Sequence, residues 1–598
     1  MFSPIWISLK TAFTATIITF LLGVVIAWWM TNYRGKFKGL LDGILTAPLV
    51  LPPTVVGFLL LLVLGKNGFI GNILDLLGIQ VIFTWYATVI AAVVVSFPLM
   101  YKTALSAFQQ TRNSNLIDCA KTLGASKTTI FWHIILPLAK PGLIAGTLLA
   151  FARALGEFGA TLILAGSIPG KTQTIPIAIF FAAESGAMDE AMWLTIVLLI
   201  ISLGVAIAIN YWQNRRKWKT KRAKARGRAS DRGIKLKNEA QIQLDVDIQK
   251  QLPEFLLDIA FTVNKEQNPL GILGASGAGK STLLKCIAGL ETPDRGRIIL
   301  NQRILFDSAK GINLPPQERK VGLLFQDYAL FPHLNVAENI AFGISAKESR
   351  SKVKQEVARQ LQQVNLVQMG KMMTHQLSGG EKQRVALARV LASQPNITLL
   401  DEPFSALDTR LKQGLIKLLQ KRINRYAGLI LYVTHNLPQA YQLCPQLLII
   451  DRGKTISFSQ RQTAIACPPN LQTAKITGCR NFSTAQKIAP HTVKALDWQC
   501  NLKCDRIVPN NIERVAIRSD AITFVENNEG VNVFSAWLSN YVELPERAIL
   551  YLKLHSSSNN SEDYHLEAEV TTNEWRQLQR QDRYHIQLLP NKIIILGI

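Results

Sequence analysis

Cysteine is scarce in this chain, and the spacing of the cysteines indicates no pairs among them. Seven cysteines occur among 598 residues, and the two nearest each other, Cys500 and Cys504, do not form a C-x-x-C pair. Disulfide frameworks and zinc sites need several closely spaced cysteines. We therefore expect reduced thiols of the kind found in cytosolic proteins, with neither zinc nor disulfides.

Acidic residues are also few, since 41 Asp and Glu stand against 66 Lys and Arg, a formal charge of +25. A strongly basic chain is often a nucleic-acid-binding protein, but much of this charge is local. Residues 215–237 hold twelve Lys or Arg and one acid, Asp231. A basic run directly after a membrane span usually lies on anionic lipid headgroups. Membrane lipids are therefore an expected partner, and nucleic acid is not.

Charged residues are rare in the first 213 residues, which consist mainly of long apolar runs. The first run is too long for a signal peptide, and no A-x-A site follows it. Runs of about 20 residues, enough to cross a hydrocarbon core of roughly 30 Å, occur near 9–30, 41–65, 81–101, 142–165 and 191–212. The sequence thus predicts an all-α bundle of five membrane-spanning helices.

The positive charges between the runs predict the orientation of the chain. Lys and Arg are concentrated in segments 31–40 and 102–140 and after residue 213, while the other loops hold only Lys66 and Lys171. Cytoplasmic loops carry the excess of Lys and Arg. We therefore expect a multi-pass protein of the cytoplasmic (inner) membrane, with its N-terminus outside and everything after residue 213 in the cytoplasm.

An apolar strand leads into a glycine-rich loop in LGILGASGAGKST, residues 270–282. Glycines let successive backbone N–H groups turn inward around phosphates, and the N-terminus of the following helix adds partial positive charge. Lys280 would reach the β- and γ-phosphates, and Ser281 would ligate Mg²⁺. The predicted ATP-binding residues here are Gly274, Ala275, Ser276, Gly277, Ala278, Gly279, Lys280, Ser281 and Thr282.

A second apolar strand, in NITLLDEP at 396–403, ends in two acidic residues. In that position Asp401 would hold Mg²⁺, and Glu402 would activate the attacking water. Between this strand and the glycine-rich loop lies LSGGEKQRVALAR at 377–389, a glycine pair that opens a helix. The two carboxylates and the loop together predict an α/β ATPase that uses ATP and Mg²⁺.

These motifs, in this order, resemble those of ABC transporter ATPases over residues 240–465. Gln326 in LLFQDYALFP, SALD at 405–408 and His435 in YVTHN match as well. The resemblance implies that Gln326 senses Mg²⁺ and faces a coupling helix, that Glu402 is the general base, and that His435 contacts the γ-phosphate. Phe255 lies near the usual place of the adenine-stacking aromatic, but it could equally be a strand core residue.

The same resemblance implies that no single copy completes an ATP site. The signature residues would grip the γ-phosphate of ATP bound to the other subunit; they are Ser378, Gly379 and Gly380. We therefore expect a second copy of this chain as partner, in a homodimer with two composite sites.

The cytoplasmic segment 114–146 is amphipathic near 116–123 and breaks at Gly124. Taken alone, it predicts an interfacial helix. Its order of acid, small residue, glycine and ILP resembles the EAA loop of binding-protein-dependent importers, with DCA at 118–120 in place of Glu-Ala-Ala. The resemblance implies a coupling helix that docks on the ATPase, and it favours import over export. The coupling-loop residues would be Asp118, Ala120 and Gly124.

Arg153 and Glu157 stand four residues apart in a segment predicted to be a membrane helix. An unpaired charge there costs about 3 kcal/mol or more, so the two should pair or face a wet interior. Two interpretations stay open. The pair is either a structural ion pair that locks the bundle, or a feature of the membrane pathway in which Arg153 favours an anion.

The whole run FARALGEFGATLILAGSIPGKTQTIPIAIF at 151–180 resembles the permease subunits of molybdate importers, and sulfate permeases match it less well. The resemblance implies ATP-driven molybdate import with an extracytoplasmic molybdate-binding protein. Loop 171–174 would then contact the oxyanion or dock the binding protein. Two alternatives stay open: a sulfate or thiosulfate importer of the same build, and a membrane-tethered oxyanion-sensing ATPase that does not transport.

The tail alternates like strands, as in RVAIRSDAITFV, and VAIRSD resembles the C-terminal regulatory domain that follows many importer ATPases. A regulatory role and an inert dimerisation module both stay open. The predicted domains are a transmembrane permease domain at 1–213, a basic linker at 214–239, an ABC ATPase domain at 240–465 and a small β-rich domain at 466–598.

Overall fold

The computed structural model describes residues 2–66, 68–112, 115–214, 242–344, 348–404, 412–414, 416–417, 419–420, 426, 428–527, 529–557, 560–578 and 581–597. The predicted basic linker after Asn214 and the SALD loop at 405–408 lie outside these residues. The chain divides into two compact units, one formed largely by residues up to 227 and the other largely by those that follow.

The described part of the first unit is helical. Its α-helices are α1 (Phe2–Asn32), α2 (Lys38–Val50), α3 (Pro53–Leu64), α4 (Phe69–Leu76), α5 (Trp85–Arg112), α6 (Asn115–Thr122), α7 (Lys127–Ile130), α8 (Leu136–Leu155), α9 (Gly159–Ala165), α10 (Ile175–Glu184) and α11 (Met188–Asn214). A π-helical turn, Phe131–Ile135, joins α7 to α8.

Helices α1 and α5 pack side by side and run in the same direction. The hydroxyls of Thr11 and Thr88 lie 3.0 Å apart, and those of Thr19 and Ser96 lie 3.2 Å apart. Both pairs are separated by 77 residues along the chain, which requires parallel helices. Buried hydrogen bonds between membrane helices contribute about 0.6 kcal/mol each, so the two pairs set the register more than they set the stability.

Three helical segments of the described residues are long and apolar enough to cross a membrane: Phe2–Asn32, Trp85–Arg112 and Lys127–Leu155. A bent pair of helices over Lys38–Leu64 raises this number to four if it forms one span. The last predicted span lies within α11, part of whose side chains are outside the described residues. The count of five spans therefore stays a prediction.

The predicted span at 41–65 is not one continuous helix, because α2 and α3 meet at an angle of 115°. Leu51, between them, has extended backbone angles, φ −70° and ψ 141°. Two prolines follow it, and a residue before proline is pushed out of the helical region. Pro53 then fits the first turn of α3, where its missing N–H is not needed.

The prediction of one helix over 142–165 is also wrong. Helix α8 ends at Leu155, and α9 begins only at Gly159. Gly156 is the C-cap of α8, and Phe158, before α9, has non-helical angles of φ −126° and ψ −61°. The apolar composition of the whole run conceals this break, since hydropathy does not report backbone angles.

The second unit contains a large mixed sheet. Its strands are β1 (Gln243–Gln251), β2 (Leu256–Asn264), β3 (Leu270–Leu273), β4 (Arg295–Leu300), β5 (Arg303–Asp307), β6 (Ile312–Asn313), β7 (Val321–Leu324), β8 (Ile397–Asp401), β9 (Leu429–Thr434), β10 (Gln446–Asp451) and β11 (Lys454–Gln460). In the described residues they form one sheet in the order β6-β5-β4-β1-β2-β11-β10-β3-β9-β8-β7.

Helices and short turns surround these strands. The α-helices are α12 (Lys280–Ala288), α13 (Val336–Phe342), α14 (Arg350–Gln363), α15 (Gly379–Ala392), α16 (Leu437–Leu443), α17 (Arg461–Ala466) and α18 (Leu471–Ile476). The 3₁₀ turns of this part are Lys265–Gln267, Pro316–Glu318, Val367–Met369 and Thr374–Gln376.

Strands β10, β3, β9, β8 and β7 are parallel neighbours. All five are buried along nearly their whole length, as expected for strands covered on both faces. Parallel strands end at the same edge of a sheet, and the crevice outside their carboxyl ends is where α/β folds bind ligands. Four motifs singled out in the sequence follow directly at this edge.

Residues 481–597 form two antiparallel sheets. Their strands are β12 (Asn481–Ala489), β13 (Thr492–Ala495), β14 (Cys500–Lys503), β15 (Ile512–Ile517), β16 (Ile522–Val525), β17 (Val533–Glu543), β18 (Arg547–Leu554), β19 (Leu566–Thr571), β20 (Arg583–Leu588) and β21 (Ile594–Gly597), with α19 at Thr572–Gln577 and 3₁₀ turns at Ser519–Ala521 and Pro590–Lys592. The first sheet has the order β14-β13-β12-β15-β21 and the second β16-β20-β17-β18-β19. The two sheets share one apolar core that includes Trp498, Leu550 and Ile586.

Candidate functional site

The glycine-rich loop connects buried β3 to α12. Gly279, the N-cap of α12, has φ 95°, a conformation that side chains disfavour. Lys280 begins the helix, and its Nζ donates to the carbonyls of Gly274 at 2.9 Å and Ala275 at 2.7 Å. The lysine therefore lies along the loop that is predicted to hold phosphates. Ala278, within the loop, is buried, and its carbonyl accepts from the N–H of Gly453.

Two carboxylates lie at the end of β8. Asp401 accepts a hydrogen bond from the side chain of Ser281, the residue predicted to share Mg²⁺ with it. Burial raises the pKa of Asp401, while this hydrogen bond and the charge of Lys280 oppose the rise. Burial lowers the pKa of Lys280, and the charges of Glu402 and Asp401 oppose that change. The opposite charges of Lys280 and Asp401 thus offset part of the effect of burial on the pKa of each group.

Glu402, the next residue, is held by β9. Its backbone has φ 43°, and its N–H donates to the carbonyl of Val433 at 3.0 Å. Its Oε1 lies 2.9 Å from Nδ1 of His435, which follows β9. Asp401 is paired with Val433 in the β8–β9 register. Neighbouring strands thus bring the predicted base and the predicted γ-phosphate contact together.

A cleft of about 380 Å³ lies at this sheet edge. Gln326, two residues after β7, lines it together with Glu402 and the second half of the glycine-rich loop. Residues 252–255 form a second wall of the cleft that was not predicted from the sequence. The role of Phe255 was left open there between adenine stacking and a strand core position. A carbon added at Gly279 would meet the ring of Phe255 at 3.5 Å. The lining residues are Leu252, Pro253, Glu254, Phe255, Ser276, Gly277, Gly279, Lys280, Ser281, Thr282, Gln326 and Glu402.

The signature residues begin α15 and are not among those that line this cleft. Ser378 is the N-cap, and its N–H donates to Oε2 of Glu381 at 2.8 Å. The hydroxyl of Ser378 accepts from the N–H of Glu381, which completes a capping box. Ser378 and Gly379 are exposed, while Gly380 is buried. The start of α15 is therefore rigid and accessible to a partner.

The predicted coupling loop forms helix α6, which ends at Thr122. Ala120 is fully buried, and its carbonyl accepts from the N–H of Ala125 at 3.0 Å. Gly124 has φ 89°, so it supplies the left-handed turn that ends the helix. Asp118 lies in the first turn of α6, where a negative charge is favourable.

Arg153 and Glu157 form an ion pair at 3.7 Å, but not along one helix as predicted. Arg153 is in the last turn of α8, whereas Glu157 lies in the break before α9. Oε1 of Glu157 accepts from the N–H of Ala160 at 2.9 Å, so this carboxylate caps α9. The side chain of Glu157 is 2% exposed and that of Arg153 is 38% exposed. The side chain of Arg153 thus remains partly exposed beside a buried carboxylate.

Comparison with known proteins divides the chain into the same two parts. The family model "ABC transporter" matches residues 256–405, and the model "Binding-protein-dependent transport system inner membrane component" matches residues 19–219. The Fe(3+) ions import ATP-binding protein FbpC of Haemophilus influenzae is 35% identical over 277 residues, which cover 46% of this chain and 78% of that protein. The putative molybdenum transport system permease protein YvgM of Bacillus subtilis is 45% identical over 201 residues, 33% of this chain and 88% of that protein.

Among solved structures, cbiO1 from Clostridium perfringens, part of the ABC transporter complex cbiONQ, is 27% identical. The match covers 37% of this chain and 88% of that one, with a TM-score of 0.33. On the sequence matches, this chain belongs to the ABC transporter family.

More particularly, the chain is an ABC-type importer in which a membrane permease and an ATPase are fused. Its ABC domain hydrolyses ATP in a reaction coupled to transport, and its permease places it in the inner membrane. Importers of this kind work as dimers with a binding protein. The predictions of an ABC ATPase and of a fused permease are thereby confirmed.

Proposed function

We propose that this protein imports molybdate, driven by ATP hydrolysis, and receives it from an extracytoplasmic molybdate-binding protein. The observation that carries the proposal is the 45% identity of its permease part to a putative molybdenum transport permease. The permease is the part of such a transporter that cargo crosses. The other relative, whose name contains iron, is an ATP-binding protein and not a permease.

The geometry at the α8–α9 break supports an anionic cargo. Oε1 of Glu157 accepts from the N–H of Ala160 and its Oε2 lies 3.7 Å from Arg153, while the side chain of Arg153 stays more than a third exposed. An arginine offers five N–H donors in a fixed fork that suits oxyanions. We assign Arg153 to the membrane pathway as an anion contact and Glu157 to its support. Loop 171–174 is the proposed docking surface for the binding protein.

The cleft at the sheet edge has the donors that ATP and Mg²⁺ require. The glycine-rich loop and Lys280 would hold the phosphates, and Phe255 lies where it could stack on the base. Ser281, Gln326 and Asp401 would hold Mg²⁺, which supplies charge neutralisation at the phosphates. Glu402 is the proposed general base, because His435 holds its carboxylate at the cleft.

The exposed start of α15 supports a homodimer with two composite ATP sites. Ser378, Gly379 and Gly380 do not line the cleft of their own chain, so a second copy would supply them. The segment with Asp118, Ala120 and Gly124 is the proposed coupling loop. We also propose the outside position of the N-terminus and the four domains at the boundaries given above.

Uptake by proteoliposomes that contain the full chain and its cognate binding protein tests the proposal. Labelled molybdate, sulfate and Fe³⁺ would be compared at equal concentrations, with and without ATP. We expect ATP-dependent accumulation of molybdate above that of the other two. Preferred accumulation of sulfate or of iron would replace the proposed cargo. ATP hydrolysis without accumulation of any of them would favour an oxyanion-sensing ATPase.

A further inference from the structure

Arg389 is a fully buried arginine on α15, with 1% of its surface exposed. Its Nη1 donates to the carbonyl of Ala329 at 2.7 Å, and its Nη2 donates to the carbonyl of Tyr328 at 2.8 Å. Nη1 also lies 3.5 Å from Oδ1 of Asn339 on α13. The guanidinium thus donates hydrogen bonds to two consecutive backbone carbonyls.

These carbonyls belong to an unusual turn at 325–329, which contains Gln326. Tyr328 has φ 64° and Ala329 has φ 41°, so two successive residues other than glycine are left-handed. The N–H of Tyr328 donates to the carbonyl of Phe325 at 2.9 Å and closes the turn. Such conformations persist only where the surroundings determine them. The two charge-assisted hydrogen bonds from Arg389 hold the turn in this conformation.

We propose that Arg389 is a positioning residue for ATP hydrolysis, which holds Gln326 at the cleft by fixing the turn that contains it. The inference rests on the role proposed above for Gln326 at Mg²⁺. Since Arg389 lies on the helix that starts at Ser378, the same contact ties the signature end of α15 to the position of Gln326.

Arginine suits this position, and lysine does not. The planar guanidinium reaches two adjacent carbonyls with two parallel N–H groups, whereas an ammonium is a single point of charge on a flexible stem. Arg389→Lys therefore keeps the buried charge but loses the fixed fork. A matched control lies on the same helix, because Arg384 donates to the carbonyl of Val364 at 3.2 Å, away from the turn.

The test measures kcat, KM for ATP and the Mg²⁺ concentration for half-maximal ATPase of the full-length protein. In Arg389→Lys we expect kcat to fall about 10- to 100-fold, the scale of a small misplacement of a reacting group. We also expect the half-saturating Mg²⁺ concentration to rise while KM for ATP changes little. Arg384→Lys should stay close to wild type in all three quantities.

Two further variants separate positioning from damage to the fold. Ala329→Gly makes the left-handed turn sterically easy, so in the Arg389→Lys background it should restore part of kcat. Adding Gln326→Ala to Arg389→Lys should cause little further loss, because both changes act on one group.

Wild-type kinetics of Arg389→Lys would overturn the inference. So would losses that multiply in the double variant with Gln326→Ala, or a loss that Ala329→Gly leaves untouched. If Gln326→Ala alone left kcat and the Mg²⁺ dependence unchanged, the proposed role of Gln326 would fail, and the inference would fall with it.

Discussion

Nδ1 of His435 lies 2.9 Å from Oε1 of Glu402, across two neighbouring strands of the sheet. The contact orients the carboxylate of Glu402, whose backbone is already fixed by the hydrogen bond from its N–H to the carbonyl of Val433. A carboxylate held in this way is suited to accept the proton of the attacking water. The first prediction follows from this pair.

Glu402→Gln should bind ATP and lose turnover, because the amide keeps a hydrogen-bonding group near His435 but cannot accept a proton. A general base contributes about 10²- to 10⁴-fold to the rate. Nucleotide binding to the full chain and its ATPase rate would be measured together with uptake. Glu356→Gln, which changes an acid paired with Arg359 on α14, is the control. Undiminished uptake by Glu402→Gln would exclude Glu402 as the base.

The affinity for Mg²⁺ should depend on pH through Asp401. Burial raises the pKa of this carboxyl, so it binds a proton at higher pH than an ordinary aspartate does. Because Mg²⁺ needs the ionised form, the half-saturating Mg²⁺ concentration should increase as pH falls, by about tenfold per pH unit below the pKa. Titrations between about pH 5 and 8 test this. A response that is unchanged in Asp401→Asn would assign the pH dependence to another group.

The ion pair of Arg153 and Glu157 can be separated into structural and transport roles. Arg153→Met alone leaves Glu157 buried without its cation, so it should lower both thermal stability and uptake. The double variant Arg153→Met with Glu157→Gln removes both charges and keeps an oxygen to cap α9. We expect it to regain stability and to remain deficient in molybdate uptake.

Recovery of uptake by that double variant would show that the pair only stabilises the bundle. Glu157→Ala measures the cap separately, since it also removes the acceptor for Ala160. Loss of a helix cap costs about 0.5–2 kcal/mol. Thermal unfolding of this variant should therefore begin below that of Glu157→Gln.

One thiol per chain should react quickly in the folded protein. All seven cysteines are free, and Cys467 is the partly exposed one. Burial raises the pKa of Cys286 and Cys500 to about 12 and of Cys479 to about 11, so little thiolate is present at about pH 8. A thiol-reactive dye should label one site rapidly and seven after unfolding. Cys467→Ser should abolish the fast phase, whereas Cys504→Ser should leave it.

Much of the predicted ATP site could be read from the sequence because its residues follow strands. Gly274, Gln326, Glu402 and His435 each come at or soon after the end of a buried parallel strand, and such ends meet at one edge. Phe255 could not be assigned in this way. It lies in the turn that joins the antiparallel strands β1 and β2, and only the folding of these strands brings it beside Gly279.

The membrane part was harder to predict from sequence. Hydropathy located the apolar runs but treated 41–65 and 142–165 as straight helices, because it records composition and not backbone angles. Gly156 and the prolines after Leu51 were the local signals of the two breaks. Helix-breaking residues are tolerated in many membrane helices, so these signals by themselves did not decide the outcome.

The sequence by itself determined the class of this protein, because phosphate binding, Mg²⁺ binding and membrane crossing each need particular residues at short spacing. Only the tertiary structure decided which distant groups meet. It placed Arg389 against the turn that contains Gln326, and Glu157 at the start of α9. Both contacts involve backbone carbonyl or N–H groups, which are not specific to particular residue types, so no pattern of side chains predicts them.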